Sequence, residues 1–313
     1  MKDILTDIIE NKRQEILLQK QAVSIEHLRE QVETILAHRA EKPSSGDSAV
    51  NIPGNNQNMP REVIPPANLT NSVIPTKSRS MKHALAQSST GIIAEFKRKS
   101  PSKGWIKESA SPEIIIPGYQ AAGASVLSIL TDETFFGGSL RDIRVARPLV
   151  DIPILRKDFI IDEYQLLQAC IVEADAILLI AACLSPDQCH DLTEKAHALG
   201  LEVLLEVHSP HELSYIDKNT DMVGVNNRNL GTFVTDIENS FRIAEGLKQT
   251  VDGIYAGSTT SEPPLLVSES GLSNPDTLLK LRSAGFRGFL IGETFMHTEQ
   301  PEATLRDFIK KLK

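Results

Sequence analysis

From residue 91 onward the chain alternates short, almost unbroken apolar runs with longer stretches in which apolar residues recur every three or four positions. Runs of the first kind are expected of strands covered on both faces, as in a parallel sheet. Eight can be traced: 91–96, 125–130, 152–155, 175–180, 202–207, 222–226, 265–268 and 288–291. Between them, helix starts are announced by Ser, Thr or Asp with Glu or Gln three places later, the reciprocal arrangement that satisfies two orphan backbone donors. Asp162 with Gln165, Ser185 with Gln188, Ser209 with Glu212 and Thr235 with Glu238 have this form, and Pro186 and Pro210 occupy first helical positions. Eight such units within one stretch of this length predict an α/β fold, a (β/α)8 TIM barrel. An open doubly wound sheet would favour a G-x-G-x-x-G turn after an early strand, and none is found. Pro117-Gly118 falls within the first barrel helix and is expected to kink or shorten it. Residues 253–264, rich in Gly, Ser, Thr and Pro, read as a loop insertion before the seventh strand.

Ahead of the barrel the pattern changes twice. Residues 1–42 read as a helical extension, with one apolar stripe at Ile4, Ile8 and Ile9, a second at Leu28, Val32, Ile35 and Leu36, and Ser24 placed to cap the second helix. Residues 43–76 carry Pro, Asn, Ser and Gly without an apolar period and read as a flexible insertion. The barrel domain is then 77–313.

Composition narrows the class. Hydrophobic residues at 41% and charged residues at 24% are those of a globular chain with a full core. The net charge of −8 disfavours nucleic acid and anionic membranes as partners. Cys170, Cys183 and Cys189 form no C-x-x-C pair, which suits a reducing compartment. The first residues alternate charged and apolar positions, unlike a signal peptide, and no apolar run approaches a bilayer-spanning length. A cytoplasmic location is expected, and Asn68-Leu69-Thr70 is read as a chance glycosylation pattern.

In such a barrel the C-terminal strand ends form the active face. Alternation puts Glu95 and Lys97 on one face at the first strand end, while Lys157, Glu206 and Asn226 stand at the third, fifth and sixth. Any one of these is most simply a loop anchor. Two carboxylates, two lysines and an amide on one rim favour a site, because burying such charges is costly unless they pair or work. The seventh and eighth strands end in Ser270-Gly271 and Gly292-Glu293, where backbone N–H groups could hold a phosphate, with Ser100 on the neighbouring rim. His208-x-x-His211 lacks a third ligand and no metal is assigned. No cysteine nucleophile is expected.

Taken together, Ile93-Ala-Glu-Phe-Lys-Arg-Lys-Ser-Pro-Ser102, Leu127 to Asp132 with Phe135 to Ser139, and Pro153 to Phe159 resemble the indole-3-glycerol phosphate synthase family. The likeness continues through Leu204 to Val207, Gly224 to Leu230, Ser268 to Gly271 and Leu290 to Glu293, and Ile4-Leu5 with Lys12 and Glu15 resembles its N-terminal helix. The resemblance implies closure of the indole ring of 1-(2-carboxyphenylamino)-1-deoxyribulose 5-phosphate, with loss of carbon dioxide and water and no cofactor. It implies that Lys157 is the general acid, with Glu95 and Glu206 as its carboxylates and one of them as dehydration base. Lys97, Asn226 and Arg228 would orient the departing carboxylate, and Phe136, Phe159 and Leu230 would wall the aromatic ring. Ser100, Gly271, Gly292 and Glu293 would hold the phosphate, with Ser270 beside it. The substrate is then a small molecule, no obligate protein partner is evident, and no fused isomerase barrel is expected. Two other readings stay open: an aldolase-like barrel with Lys157 as Schiff-base nucleophile, and a catalytically silent barrel that binds a phosphometabolite.

Overall fold

The computed structural model describes residues 4–41, 79–229, 231, 234–255 and 262–312. Eight parallel strands close into a barrel: β1 Ile92–Phe96, β2 Val126–Leu130, β3 Ile154–Lys157, β4 Ala176–Ile180, β5 Glu202–Val207, β6 Met222–Asn226, β7 Leu265–Glu269 and β8 Gly288–Ile291. Each pairs with its sequence neighbours, and β1 pairs with both β8 and β2. The strands lie where the apolar runs predict them, with one consequential shift: β3 begins after Pro153 and carries Arg156 and Lys157 within the ladder. The segment 43–76 and Asn68 lie outside the described residues.

Alternation along the strands sets up two cores. Ile93, Val126, Leu155, Leu178, Leu204, Met222, Val267 and Leu290 point into the barrel and pack there. Their neighbours of opposite parity, among them Ile92, Leu127, Ile154, Ile177 and Val203, pack outward against the helices. The same parity carried to the strand ends turns Glu95, Lys157, Glu206, Asn226 and Glu269 inward at the C-terminal face. The opposite end is filled by a helix that the sequence pattern does not announce, α3 (Met81–Gln87), whose Met81 and Leu85 are wholly buried in the inner core. Ser80 caps it and donates to Glu202 at the start of β5.

Two helices precede the barrel, α1 (Ile4–Ala22) and α2 (Ile25–Glu41), with Ser24 Oγ accepting from the His27 N–H at the start of the second. Their apolar stripes face in two directions. Ile16, Leu28, Val32 and Ile35 pack on Tyr164, Leu167 and Ile171 of α7 (Glu163–Ile171), whereas Ile8 and Ile9 join the inner core at the barrel mouth. In the outer layer, α6 (Leu140–Ala146) and α10 (Pro275–Ser283) bury Ile143, Leu278 and Leu281 against the sheet.

Helix starts follow the expected code unevenly. Ser185 and Gln188 form the full reciprocal box at α8 (Pro186–Ala198). Asp162 caps α7, but Gln165 accepts from Ile161 instead of returning to the cap. Ser209-Pro210 opens a 3-10 helix, Pro210–Tyr215. Thr235 caps nothing: it bridges to Arg228 and packs against Gly271, and α9 (Glu238–Tyr255) starts three residues later with Asp236 accepting from Glu238. That helix takes up 253–255, the first three residues of the loop expected at 253–264; residues 262–264 are non-helical and 256–261 lie outside the described residues. Nor does Pro117 interrupt α4 (Pro112–Ala122). The following Gly118 lets the final helix, α12 (Pro301–Lys310), come close, because a Cβ there would stand 3.0 Å from Glu302 Cβ.

Candidate active site

A cavity of about 540 Å³ opens at the C-terminal end of the barrel. It is lined by Glu95, Lys97, Ser100, Phe136, Lys157, Phe159, Glu206, Asn226, Arg228, Ser270, Gly271, Gly292 and Glu293. These are the site residues expected from the sequence, apart from Leu230, which lies outside the described residues. Ile4, Leu5 and Ile8 of α1 form part of the wall.

The floor is a cluster of charges. Lys157 Nζ lies 2.9 Å from Glu206 Oε2 and 3.3 Å from Glu269 Oε2. Burial by itself would drive the ammonium to lose its proton, but the carboxylates of Glu206, Glu269 and Glu95 outweigh it and hold Lys157 charged well above its ordinary range. Glu206 is held below its usual range: burial opposes this, and Lys157, His208 and Asn226 overcome it. Asn226 Nδ2 donates to Glu206 Oε1 at 3.0 Å, so its amide protons serve this carboxylate, while its Oδ1 accepts from the Arg228 N–H. Glu269 goes the other way, pushed up to about 7 by burial and by repulsion from Glu206 and Glu95, against the pull of Lys157. Two carboxylates on one lysine are thereby split into a committed anion and a group that can carry a proton at neutral pH.

Glu269 is not among the residues that the sequence pattern singles out. Its signal is parity: Leu265 and Val267 face inward, so the next alternate residue does too, but the apolar run ends at Ser268 and conceals it. Two glycines make room for these acids. A Cβ at Gly224 would overlap Glu269 Oε1, and one at Gly292 would overlap Glu95 Oε1. Gly292 thus serves the carboxylate of β1 as well as the backbone turn after β8. Glu95 in turn holds Lys97, with Nζ at 2.7 Å from Oε1.

Phe136 and Phe159 form one wall, with ring centroids 6.0 Å apart. Phe136 ends a short helix, α5 (Glu133–Phe136), which is capped by Asp132 through the Phe135 N–H. Phe159 follows Asp158, whose Oδ1 accepts from the Phe159 N–H. Both aspartates converge on a residue of α1: Lys12 Nζ is 3.0 Å from Asp132, 3.1 Å from Asp158 and 2.8 Å from Glu15, and its side chain is wholly buried. Burial opposes the charge on Lys12, and the three carboxylates raise it above its ordinary range. The N-terminal extension is therefore anchored to the aromatic wall.

Across the cavity the backbone turns at Ser270 (φ 69°) and Gly271 (φ 75°), the first being left-handed despite its side chain. Asn227 pins this turn by donating to Ser268 Oγ and to the Ser270 carbonyl. Ser100 contributes a hydroxyl with no hydrogen-bond partner among the described residues although it is 2% exposed. It stands on a two-stranded hairpin, Lys99–Ser100 with Gly104–Trp105, that the apolar pattern does not reveal. Arg228 reaches this side of the site, 3.2 Å from Ser102 Oγ and 3.3 Å from Glu293, and Lys103 lies 3.5 Å from Glu293. The carboxylate of Glu293 would repel a phosphate, so only its backbone suits the role expected of it. No side chain caps the helix that begins there, α11 (Glu293–Met296). Among the described residues no group of three His, Cys, Asp or Glu side chains could hold a metal ion, and no helix is long and apolar enough to cross a membrane.

The sequence matches the profile of the indole-3-glycerol phosphate synthase family over residues 55–308. The chain belongs to that family. A Bacteroides thetaiotaomicron protein named indole-3-glycerol phosphate synthase is 56% identical over 312 residues, covering 100% of both chains. A Rhodopirellula baltica protein of the same name is 43% identical over 215 residues, 68% of this chain and 77% of its own. Among solved structures, a mutant tryptophan synthase alpha-subunit from Pyrococcus furiosus superposes with a TM-score of 0.53 at 14% identity, over 71% of this chain and 97% of that one. That likeness shows the barrel fold, and the family membership rests on the sequence.

Proposed function

We propose that this indole-3-glycerol phosphate synthase family member closes the indole ring of 1-(2-carboxyphenylamino)-1-deoxyribulose 5-phosphate, and that Lys157 with its carboxylates carries the proton transfers. The observation that carries the reading is the half-buried Lys157 ammonium held between Glu206 and Glu269 at the floor of a cavity with an aromatic wall. As the ring carbon attacks the substrate carbonyl, the oxygen becomes an alkoxide, more basic than any amine, and Lys157 can donate to it although it is held charged. Loss of carbon dioxide restores the aromatic ring. Departure of the new hydroxyl as water then needs one proton delivered and one removed from carbon. Glu206, kept anionic, suits removal and can pass the proton it gains to the neutral Lys157, while Glu269, pushed up to about 7, suits delivery and is reprotonated from solvent, which supplies the one proton consumed when the carboxylate leaves as carbon dioxide.

Lys97, beside Glu95 at the mouth, the Arg228 guanidinium and Lys103 are cations available to the anionic ends of the substrate. The Ser100 hydroxyl and the backbone at Ser270-Gly271 and Gly292 suit the phosphate. Every step is a proton transfer or the making or breaking of a bond within the substrate, with no net oxidation or reduction, so no cofactor is required. Three cysteines, none of them in a disulfide, suit a reducing, cytoplasmic setting. A Schiff-base role for Lys157 is disfavoured, because that chemistry needs the neutral amine and three carboxylates hold it protonated. The test is a fluorescence assay for the indole product with the purified chain. Wild type should form it, and borohydride added during turnover should leave no adduct on Lys157. Absence of product from the wild-type chain would overturn the reading in favour of a silent binding barrel.

A further inference from the structure

One half-buried titratable group beside the site helps to hold Glu206 anionic but takes no proton-transfer step in the chemistry above. His208 follows β5, two residues beyond Glu206, and its ring lies between two carboxylates: Nε2 is 3.2 Å from Glu206 Oε1 and Nδ1 is 3.7 Å from Glu212 Oε2. We propose that His208 is a positioning residue for Glu206: braced by Glu212, its ring occupies Glu206 Oε1, so that the carboxylate presents Oε2 alone to Lys157 and to the cavity. The inference rests on the reading of Glu206 and Lys157 as a working base and acid.

The surroundings of the ring are built for this. Glu212 Oε2 accepts from the His208 N–H, and Asn239 of α9 donates to the His208 carbonyl at 3.2 Å, so the backbone is fixed on both sides. The charged groups that face the ring are Glu206 on its own strand and Glu212 on the 3-10 helix that follows, while the neighbouring elements bring neutral amides, Asn226 of β6 on Glu206 Oε1 and Asn239 of α9 on the His208 carbonyl. His208 is pushed up to about 9, burial working against the charge and Glu206 and Glu212 outweighing it, so the ring is an imidazolium at neutral pH. Glu206 then has an amide and a cation against one oxygen and Lys157 on the other, whereas among the described residues Lys157 alone, at 3.3 Å, forms an ion pair with Glu269. That asymmetry decides which of the two acids keeps the proton. His211, the other histidine of the pair, is exposed.

The experiment uses the full chain and compares kcat, KM and the pH profile of wild type with His208→Gln and His208→Asn. A glutamine amide reaches the place of Nε2 and keeps a neutral donor on Glu206; an asparagine amide reaches only toward Glu212. His208→Asn should lower kcat about tenfold at neutral pH with KM within twofold, and should move the acid limb of kcat up by about one unit, because Glu206 loses a cation and protonates more readily. His208→Gln should recover most of the kcat on the alkaline side yet keep the displaced limb, because it restores a polar donor against Glu206 but not the charge. Equal loss in both variants with an unmoved limb, or wild-type behaviour of His208→Asn, would overturn the inference. Ring ¹⁵N spectra, with His208 assigned by its absence from the variants, give a readout independent of turnover: the ring should be an imidazolium at about pH 7.5 and become neutral at lower pH in Glu206→Gln. A ring already neutral in wild type would also sink it. Failure of the catalytic reading would show separately, as turnover retained in Lys157→Met.

Discussion

Lys157 and Glu269 share a buried ion pair but have different vulnerabilities. Lys157→Met keeps the length of the side chain and removes the donor, so turnover should fall about 10²- to 10⁴-fold while the circular dichroism spectrum stays that of wild type. Glu269 should be visible in stability. Its carboxyl, pushed up to about 7 from an ordinary 4.5, binds its proton more tightly in the folded than in the unfolded chain. The stability it contributes is therefore complete below the unfolded value and is lost as pH rises through about 7. Glu269→Gln should remove this slope, gaining on wild type between pH 5 and 8 by on the order of 1–3 kcal/mol in denaturant titrations. Parallel curves for the two proteins would contradict the raised carboxyl. At this scale the sequence is readable wherever parity can be counted from an apolar run, as for Glu95 and Glu206. It is opaque where the run stops one residue short, as at Glu269, and where a partner comes from far along the chain, as Lys12 does for Asp132 and Asp158.

Among the elements, α1 ties its own placement to the aromatic wall through that one ammonium. Lys12→Met would leave buried Asp132 without its counter-ion and Asp158 with Arg156 alone, a class of change that costs about 3–5 kcal/mol. The expected outcome is a less stable protein whose α1 no longer holds Ile4, Leu5 and Ile8 over the cavity. KM should rise, by about tenfold for each 1.4 kcal/mol by which substrate binding weakens, while kcat changes less, because Lys157 and its carboxylates stand on the strands. Steady-state kinetics together with protease sensitivity within residues 4–22 would check both halves. An unchanged KM in a destabilised variant would reduce Lys12 to a fold anchor. The barrel strands are legible because both faces of each are buried and their composition declares it. The hairpin carrying Ser100 is not, because two-residue strands leave no period to count, and α3 is not, because seven residues of mixed character are too short to show a stripe. The expectation of Thr235 as a cap fails for a tertiary reason: its methyl is needed against Gly271.

For the molecule as a whole, anion binding at the mouth should register as thermal stability. The product at a concentration about 100 times its Kd should add about 2.7 kcal/mol, worth roughly 5 °C in Tm for a domain of this size. That shift should survive in Lys157→Met, whose anion-binding groups are intact, and should shrink when Arg228 is replaced by Met. Melting curves with and without product would decide it. The fold class is legible at this scale because eight similar units admit few closed arrangements. How the ends of the barrel are finished is not, since neither the floor nor the roof repeats. The floor has a kinetic corollary. With Met81 and Leu85 stoppering the far end, whatever enters beneath α1 must leave by the same doorway, so reactant and product queue for a single exit and the product should act as a purely competitive inhibitor of the reactant.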